Sequence, residues 1–216
     1  FDPSLASLND YFLIFALAAL VGALSSAVIG LQQIAGVPYP GNFPLLQRFG
    51  GNTLGLIITL PFVLVWRVPP RDWIKPAILR DAALILGLSF LVGQVVFLNW
   101  FSDSLGLVAR GYWMFLLVTW AAVRLGLHGA VLVIAMTAIQ GLIGAQQGLG
   151  FFANDIAKTQ LANYFFYMLC LSAVGMSLAT YFTQKQAALG ELTRYRQHLE
   201  DLVGQRTAHI ETLNAE

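Results

Sequence analysis

Long apolar stretches, separated by short polar or Gly/Pro-rich segments, dominate the first 182 residues of the chain. We predict six membrane-spanning helices, at about 11–34, 49–66, 81–101, 111–125, 129–145 and 161–182. The last stretch has no formal charge. As a helix rising ~1.5 Å per residue it is roughly 33 Å long, enough to cross a bilayer core of about 30 Å. The pattern therefore predicts an all-α, polytopic transmembrane helix bundle.

The fourth and fifth apolar stretches are shorter than the ~20 residues that a membrane-spanning helix needs. We predict that a tight turn near Gly126 and His128 joins them. A broken or re-entrant pair of helices is the alternative to two complete spans, because irregular backbone is tolerated at membrane depth where it is buried in protein.

A different pattern begins at Thr183, where the chain becomes polar, charged and free of proline. Arg196 and Arg206 share a heptad seam with apolar residues at the other a and d positions, namely Leu189, Leu192, Leu199, Val203, Ile210 and Leu213. Such a seam is typical of a coiled coil, and a polar seam residue can fix its register. It could equally permit a shift between two registers, and Tyr195 and Leu202 offer a competing stripe. We predict that the last span continues unbroken into a dimeric, signal-coupling coiled coil.

Composition narrows the class of protein. The 216 residues are 57% hydrophobic and only 11% charged, against about 25% charged in soluble domains, so we expect an integral membrane protein in contact with the lipid bilayer. The net charge of +1 argues against a nucleic-acid partner. A single cysteine, Cys170, excludes a disulfide framework within one chain.

No arrangement of residues along the chain indicates catalysis. The three histidines, His128, His198 and His209, do not have the spacing of a metal site, and no nucleophile stands beside a candidate base. We therefore expect no catalytic residue, no metal and no cofactor in this segment.

Basic residues predict the orientation in the membrane. They concentrate after the second, fourth and sixth stretches, as Arg67, Arg71, Lys75, Arg80, Arg124, Lys185, Arg194, Arg196 and Arg206. With six spans these three regions lie on one side, whereas the opposite loops carry only Arg48, Arg110 and Lys158. The positive-inside rule makes the basic side cytoplasmic. We expect a multi-pass protein of a bacterial inner membrane with a cytoplasmic C-terminus.

Charge also divides the chain into two parts. Nine of the twenty-three Lys, Arg, Asp and Glu residues lie in the last thirty-four positions. We therefore predict a transmembrane sensory domain at 1–182 and a cytoplasmic signalling helix at 183–216. Because the sequence opens at Phe1 and stops at Glu216 within a heptad, we expect it to be part of a longer protein with an output domain beyond Glu216.

Uncharged polar residues inside the spans are the candidates for ligand contact. The amides Asn52, Gln94, Gln140 and Asn163 could hydrogen-bond between helices, worth about 0.6 kcal/mol each on average, or face a shared cavity that admits a ligand. Arg124 lies closest to mid-span among the basic residues. It could extend to the inner interface or form a buried pair with an acid or a ligand.

Small residues recur four positions apart in several spans, as in Gly22, Ser26 and Gly30; Gly51 and Gly55; Gly144 and Gly148; and Ala173 and Ser177. Such spacing lets helix backbones approach closely in lipid. It fits ordinary packing within one subunit, and the alternative is a dedicated dimer seam.

Three segments resemble one known family. Residues 119–126, Thr-Trp-Ala-Ala-Val-Arg-Leu-Gly, followed by Gly129 and Ala130, resemble the Trp-Ala-Ala-x-Arg-x-Gly signature of the first membrane-associated sensor (MASE) family. Residues 150–153, Gly-Phe-Phe-Ala, resemble its Gly-x-Phe-Ala segment. Residues 51–55 with Pro61 and Trp66 resemble its Gly-Asp-x-Leu-Gly…Pro…Trp helix, although Asn52 stands where the family often has Asp.

The resemblance covers roughly 11–189 and implies a bacterial inner-membrane sensory domain. The signature adds Trp120 to the candidate ligand contacts, beside Arg124. Such domains are fused to histidine kinases or to cyclic-di-GMP synthases and hydrolases, and have about eight spans, so two would precede Phe1. Residues 199–208 resemble the Leu-Val-x-x-Arg-Thr linker that often precedes PAS and kinase modules, which favours a histidine kinase.

The hypothesis is therefore a sensory input module that passes a small-molecule or membrane-protein stimulus into a dimeric coiled coil. Two other classes of protein stay open. One is a small-solute transporter or channel with a dimerisation tail, which the in-membrane amides favour slightly. The other is a structural anchor that only holds two copies of a cytoplasmic enzyme together.

Overall fold

The computed structural model describes residues 8–36, 45–70, 73, 75–101 and 111–215. The elements in these ranges are all helical, which confirms the predicted all-α class. They are α1 (Leu8–Ile34), α2 (Leu45–Trp66), α3 (Pro76–Leu98), α4 (Trp113–Gln147), a 3-10 turn (Gly150–Phe152), α5 (Asp155–Thr159) and α6 (Ala162–Ala215). Predicted loop residues at 37–44 and 102–110, Arg71 in the basic linker, and the first seven residues lie outside the described ranges.

Five of these helices, α1, α2, α3, α4 and α6, are long and apolar enough to cross a membrane. Large apolar side chains cover their outer surfaces, for example Leu31, Leu91 and Phe166. In water such surfaces would be costly, whereas in a bilayer they face hydrocarbon. The chain is therefore a multi-pass membrane protein.

Helix α4 folds back on itself at Gly126. The backbone there has φ 63° and ψ −148°, which is not helical. A Cβ atom placed on Gly175 of α6 would lie 2.7 Å from Val118 Cγ2 and 3.1 Å from Ile134 Cδ1. In a straight helix those two residues would be about 24 Å apart along the axis. The first limb of α4 (113–125) and its second limb (127–147) thus lie side by side, and the turn predicted near Gly126 is present.

Several small residues lie where helices approach most closely. A Cβ on Gly22 of α1 would lie 3.1 Å from the carbonyl oxygen of Phe49 on α2, and a Cβ on Gly144 would meet the carbonyl of Phe97 on α3. These two glycines therefore serve packing inside one subunit. Gly51 and Gly55 are different, because nothing lies within 4 Å of the Cβ position of either.

The centre of the bundle is formed by α6 against both limbs of α4. Val118 and Val133 on α4 and Met168, Leu171 and Met176 on α6 are almost completely buried. At one end of the bundle, Phe97 and Phe152 stack in parallel with ring centroids 5.7 Å apart. This packing fixes α6 along the length of the membrane domain.

Helix α6 is a single element of 54 residues, which gives a length of about 81 Å. It passes Thr183 without a break, as the sequence predicts. Every described side chain from 184 to 206 is exposed. The predicted seam residues Leu189, Leu192, Leu199 and Val203 have 54–66% of their surface exposed. The side chains of Ile210 and Leu213 lie outside the described part of the chain.

Candidate functional site

An ion pair joins the turn of α4 to the start of α3. Arg124, two residues before Gly126, donates from Nη2 to Asp81 Oδ2. Arg80 Nη2 lies 3.7 Å from the other carboxylate oxygen of Asp81. The Asp81 side chain is 20% exposed and that of Arg124 is 57% exposed. Arg124 therefore pairs with an acid, and because its side chain is more than half exposed the pair is not a buried one.

Aromatic rings tie the end of α2 to the same turn. The ring of Trp66 lies edge-on to those of Trp73 and His128, with centroids 5.7 and 5.5 Å away. His128 Nε2 is 2.9 Å from the carbonyl oxygen of Val68. Because a carbonyl oxygen only accepts hydrogen bonds, Nε2 carries the hydrogen. We call Trp66, Trp73, Asp81, Arg124 and His128 the turn cluster.

Helix α6 passes the turn at the residue where its apolar part ends. A Cβ on Gly126 would lie 3.4 Å from Thr183 Oγ1. The Thr183 hydroxyl donates to the carbonyl of Ala179, 2.8 Å away, so the side chain stays on its own helix. The turn, the end of α2, the start of α3 and the exit of α6 thus meet at one level of the bundle. A displacement of the turn would change its contact with α6 at Thr183.

The ion pair allows a measurement of how strongly the turn is held. We expect a coupling energy of about 0.2–1 kcal/mol between Asp81→Asn and Arg124→Gln, because Arg124 is more than half exposed and solvent weakens the attraction. Unfolding of the purified single and double variants in detergent gives this value. Arg80→Gln is the matched control, with less coupling to Asp81→Asn, and purely additive single effects at Arg124 would contradict the pairing.

At the opposite end of the bundle, a buried carboxylate caps the start of α6. Asp155 is 4% exposed. Its Oδ2 accepts the backbone N–H of Tyr164 at 2.9 Å, and its Oδ1 accepts from Asn163 Nδ2 at 2.8 Å and from the Thr159 hydroxyl. The carboxylate thereby satisfies a backbone donor in the first turn of α6 and stands at the positive end of the helix dipole.

The in-membrane amides contact different partners. Asn52 donates from Nδ2 to Ser25 Oγ on α1 at 2.9 Å. Gln140 donates to the carbonyl of Phe90 on α3 at 3.0 Å, and its side chain lies where a Cβ of Gly93 would be.

Gln94 is buried on α3. Its backbone carbonyl, not its side chain, accepts the backbone N–H groups of Asn99 and Trp100 at the end of that helix. Asn163 bonds to Asp155, and Trp120 lies on the first limb of α4 with 40% of its surface exposed. The structure does not bring the four predicted amides together around one cavity. Hydropathy identifies polar residues within spans, but not the rotation of each helix that decides which of them meet.

An apolar cavity of about 310 Å³ lies between α2, the second limb of α4 and the first turns of α6. None of the six predicted ligand contacts lines it. Its floor includes Gly51 and Gly55, which the sequence singled out for their spacing and as part of the segment that resembles the family's Gly-Asp-x-Leu-Gly…Pro…Trp helix. A second cavity of about 410 Å³ lies beside Asp155 and is lined by Lys158, Asn163 and Tyr167 among others.

Side chains that commonly bind metal ions are dispersed over the described part of the chain. Within the described ranges, no three His, Cys, Asp or Glu side chains lie close enough to hold an ion. The cavity between α2, α4 and α6 offers space for an apolar molecule.

Comparison with known proteins identifies a family. The MASE1 family model matches residues 2–186, a range that includes α1 to α5 and the membrane part of α6. No curated protein and no solved structure matches the chain.

Proposed function

Because the chain belongs to the MASE1 family of membrane sensory input domains, we propose that it is the input module of a bacterial signal-transduction protein. In this proposal a stimulus alters the packing of the membrane helices, and α6 carries the change to an output domain. The single observation that supports it most is the continuity of α6 from Ala162 to Ala215 past the turn at Gly126. A helix without a break transmits displacement and rotation over its whole length.

We propose six crossings of the inner membrane with the C-terminus in the cytoplasm. Two observations support the count: the two limbs of α4 lie side by side, and the other four long helices are each 22 residues or more. With six crossings the basic residues after α2, at the turn and after α6 lie on one side. Trp66 and Trp73 of the turn cluster then lie at the inner interface, where tryptophan is enriched.

We propose that α6 pairs with a second copy beyond Thr183. The seam residues Leu189, Leu192, Leu199 and Val203 are exposed in the single chain, as a helix that dimerises requires. Arg196, also on the seam, bonds to Glu200 on its own helix at 2.8 Å. Seam positions Arg206, Ile210 and Leu213 would continue the contact.

The output is proposed to be a histidine kinase, because residues 199–208 resemble a linker that precedes PAS and kinase modules. A cyclic-di-GMP synthase or hydrolase is the alternative, since the same linker precedes other outputs. We assign the candidate contacts Asn52, Gln94, Trp120, Arg124, Gln140 and Asn163 to the helix interfaces that a stimulus would repack. The coupling this achieves is limited by the difference in affinity of the stimulus for the two states, typically 1–3 kcal/mol.

Insertions after Leu189 in the full-length protein test the proposal. Four extra residues rotate the distal helix by about 40° beyond one turn and move the heptad out of register. We expect this insertion to lock the output in one state or to reverse its response. Seven extra residues restore the heptad and form the matched control, with the response retained. Output activity is measured with and without stimulus in membranes.

An unchanged response after the four-residue insertion would contradict transmission through α6. Replacing the membrane part by an unrelated anchor separates the sensor from a simple tether, because only the tether would retain full regulation. Solute flux in proteoliposomes tests the transporter alternative independently.

A further inference from the structure

The apolar cavity between α2, the second limb of α4 and α6 is open along its length. Gly51 and Gly55 form its floor, and Ile139 and Phe166 stand at its sides with 61% and 60% of their surfaces exposed. The neighbouring Gly50 is covered by α6, since a Cβ there would lie 3.2 Å from the Phe165 ring. The open space is thus confined to one face of α2, and we call it the glycine slot.

Polarity changes along the glycine slot. Gln47 and Gln160 line it at the end where α2 and α6 begin, which is the membrane surface in the proposed topology. Thr59 lines it twelve residues further along α2, about 18 Å deeper. Most of the lining between these ends is apolar or glycine. Half of a bilayer core is about 15 Å, so the slot runs the depth of one leaflet with its polar end at the surface.

The length and the lining of the glycine slot indicate its occupant. A hydrocarbon chain, whose carbon atoms approach their neighbours at about 3.5–4.0 Å, matches a groove about 18 Å deep that is lined mostly by apolar side chains and glycine. A water column is disfavoured because the apolar lining offers few hydrogen-bond partners.

We propose that the glycine slot binds one acyl chain of a phospholipid from the outer leaflet. The chain lies along Gly51 and Gly55, and the polar part of the lipid meets the amides of Gln47 and Gln160. Since the slot is bounded by α2, α4 and α6, its occupant fills the space between the helix that carries the signal and its neighbours. The outer-leaflet assignment rests on the proposed topology, and the signalling consequence rests on the proposed function.

A photoreactive lipid tests the occupancy of the slot. The 216-residue chain is reconstituted in vesicles of phosphatidylethanolamine and phosphatidylglycerol that contain a trace of phosphatidylethanolamine with a diazirine in one acyl chain. After illumination, labelled peptides are mapped. We expect labelling of 47–59 and 160–166 to exceed that of the exposed α3 face at Phe90 and Leu91 by about tenfold, because bound lipid stays while bulk lipid exchanges.

Filling variants provide the control. Gly51→Leu and Gly55→Leu place side chains into open space, so helix α2 is kept while the slot is blocked. We expect these variants to lose the excess label. In Gly87→Leu on α3 the new side chain also extends into open space, but it lies away from the slot, so this variant should retain the excess label. If a leucine variant folds poorly, Gly55→Ala takes its place, because one methyl group fills less of the slot and should remove a smaller part of the excess label.

Even labelling of all exposed faces would overturn the proposal, because it means bulk lipid contact only. So would excess label that survives the filling variants. Absence of slot label together with a change of oligomeric state in the Gly55→Leu variant would assign the face to a second copy instead. The readout is occupancy and not output activity, so its failure is distinct from failure of the insertion experiment.

Discussion

Gly126→Ala is expected to lower the free energy of unfolding of the membrane domain by about 1–3 kcal/mol. The φ of 63° and ψ of −148° at this residue belong to a region that is essentially restricted to glycine, because a Cβ collides with the backbone there. The two limbs of α4 can lie side by side only if this conformation is kept. Thermal or denaturant unfolding of the purified variant in detergent measures the loss.

Gly87→Ala is the matched control for this variant. Gly87 lies in α3 with open space at its Cβ position, so alanine there should be neutral or stabilising by up to about 1 kcal/mol. Equal stability of the Gly126→Ala and Gly87→Ala variants would contradict the turn. In the full-length protein we expect the Gly126 variant also to lose its response, because the turn lies against α6 at Thr183.

Asp155→Leu is expected to lower the free energy of unfolding by about 2–4 kcal/mol. The substitution leaves the N–H of Tyr164 and the amide of Asn163 without their acceptor, and each unsatisfied group costs about 1–3 kcal/mol before relaxation. The hydroxyl of Thr159 loses its bond to the carboxylate but keeps the backbone carbonyl of residue 155, 3.1 Å away. It also removes the cap at the start of α6. The measurement is unfolding in detergent, with proteolysis near 155–167 reporting local opening of the first turns.

Asp155→Asn separates the charge from the shape. An asparagine keeps one acceptor oxygen but presents an NH₂ group to the second donor, so we expect an intermediate loss of stability. Asp201→Asn, on the exposed part of α6, should leave stability within about 0.5 kcal/mol. A neutral Asp155→Leu variant would show that the carboxylate does not hold the start of α6.

The sequence predicts the helices of this protein well because side chains that face lipid must be apolar, so each membrane helix is a long apolar stretch of the chain. The ends of α1 and α2 at Ile34 and Trp66 coincide with the predicted ends, and α6 passes Thr183 without a break as its composition indicates. Gly126 was identifiable because two stretches too short to be ordinary spans meet there. In each case the signal lies within one segment of the chain.

The lateral arrangement of helices is not encoded in this way. In lipid, an amide such as Gln140 lowers its energy by bonding to any nearby carbonyl, and its partner at Phe90 lies fifty residues away. The same holds for Arg124, whose acid Asp81 stands at the start of another helix. The glycine slot depends on three helices at once, so spacing alone shows that Gly51 and Gly55 are small but not that they are uncovered.

The length of α6 has a mechanical consequence. From Thr183 to Ala215 the helix extends about 48 Å beyond the turn, so it acts as a lever arm whose fulcrum lies at the level of Gly126. A tilt of about 5° at that fulcrum displaces the far end by about 4 Å, roughly three quarters of the rise of one helical turn. The membrane arm of the same helix, about 32 Å from Thr183 back to Ala162, moves by about 3 Å, so displacements inside the bilayer are enlarged by about half at the far end.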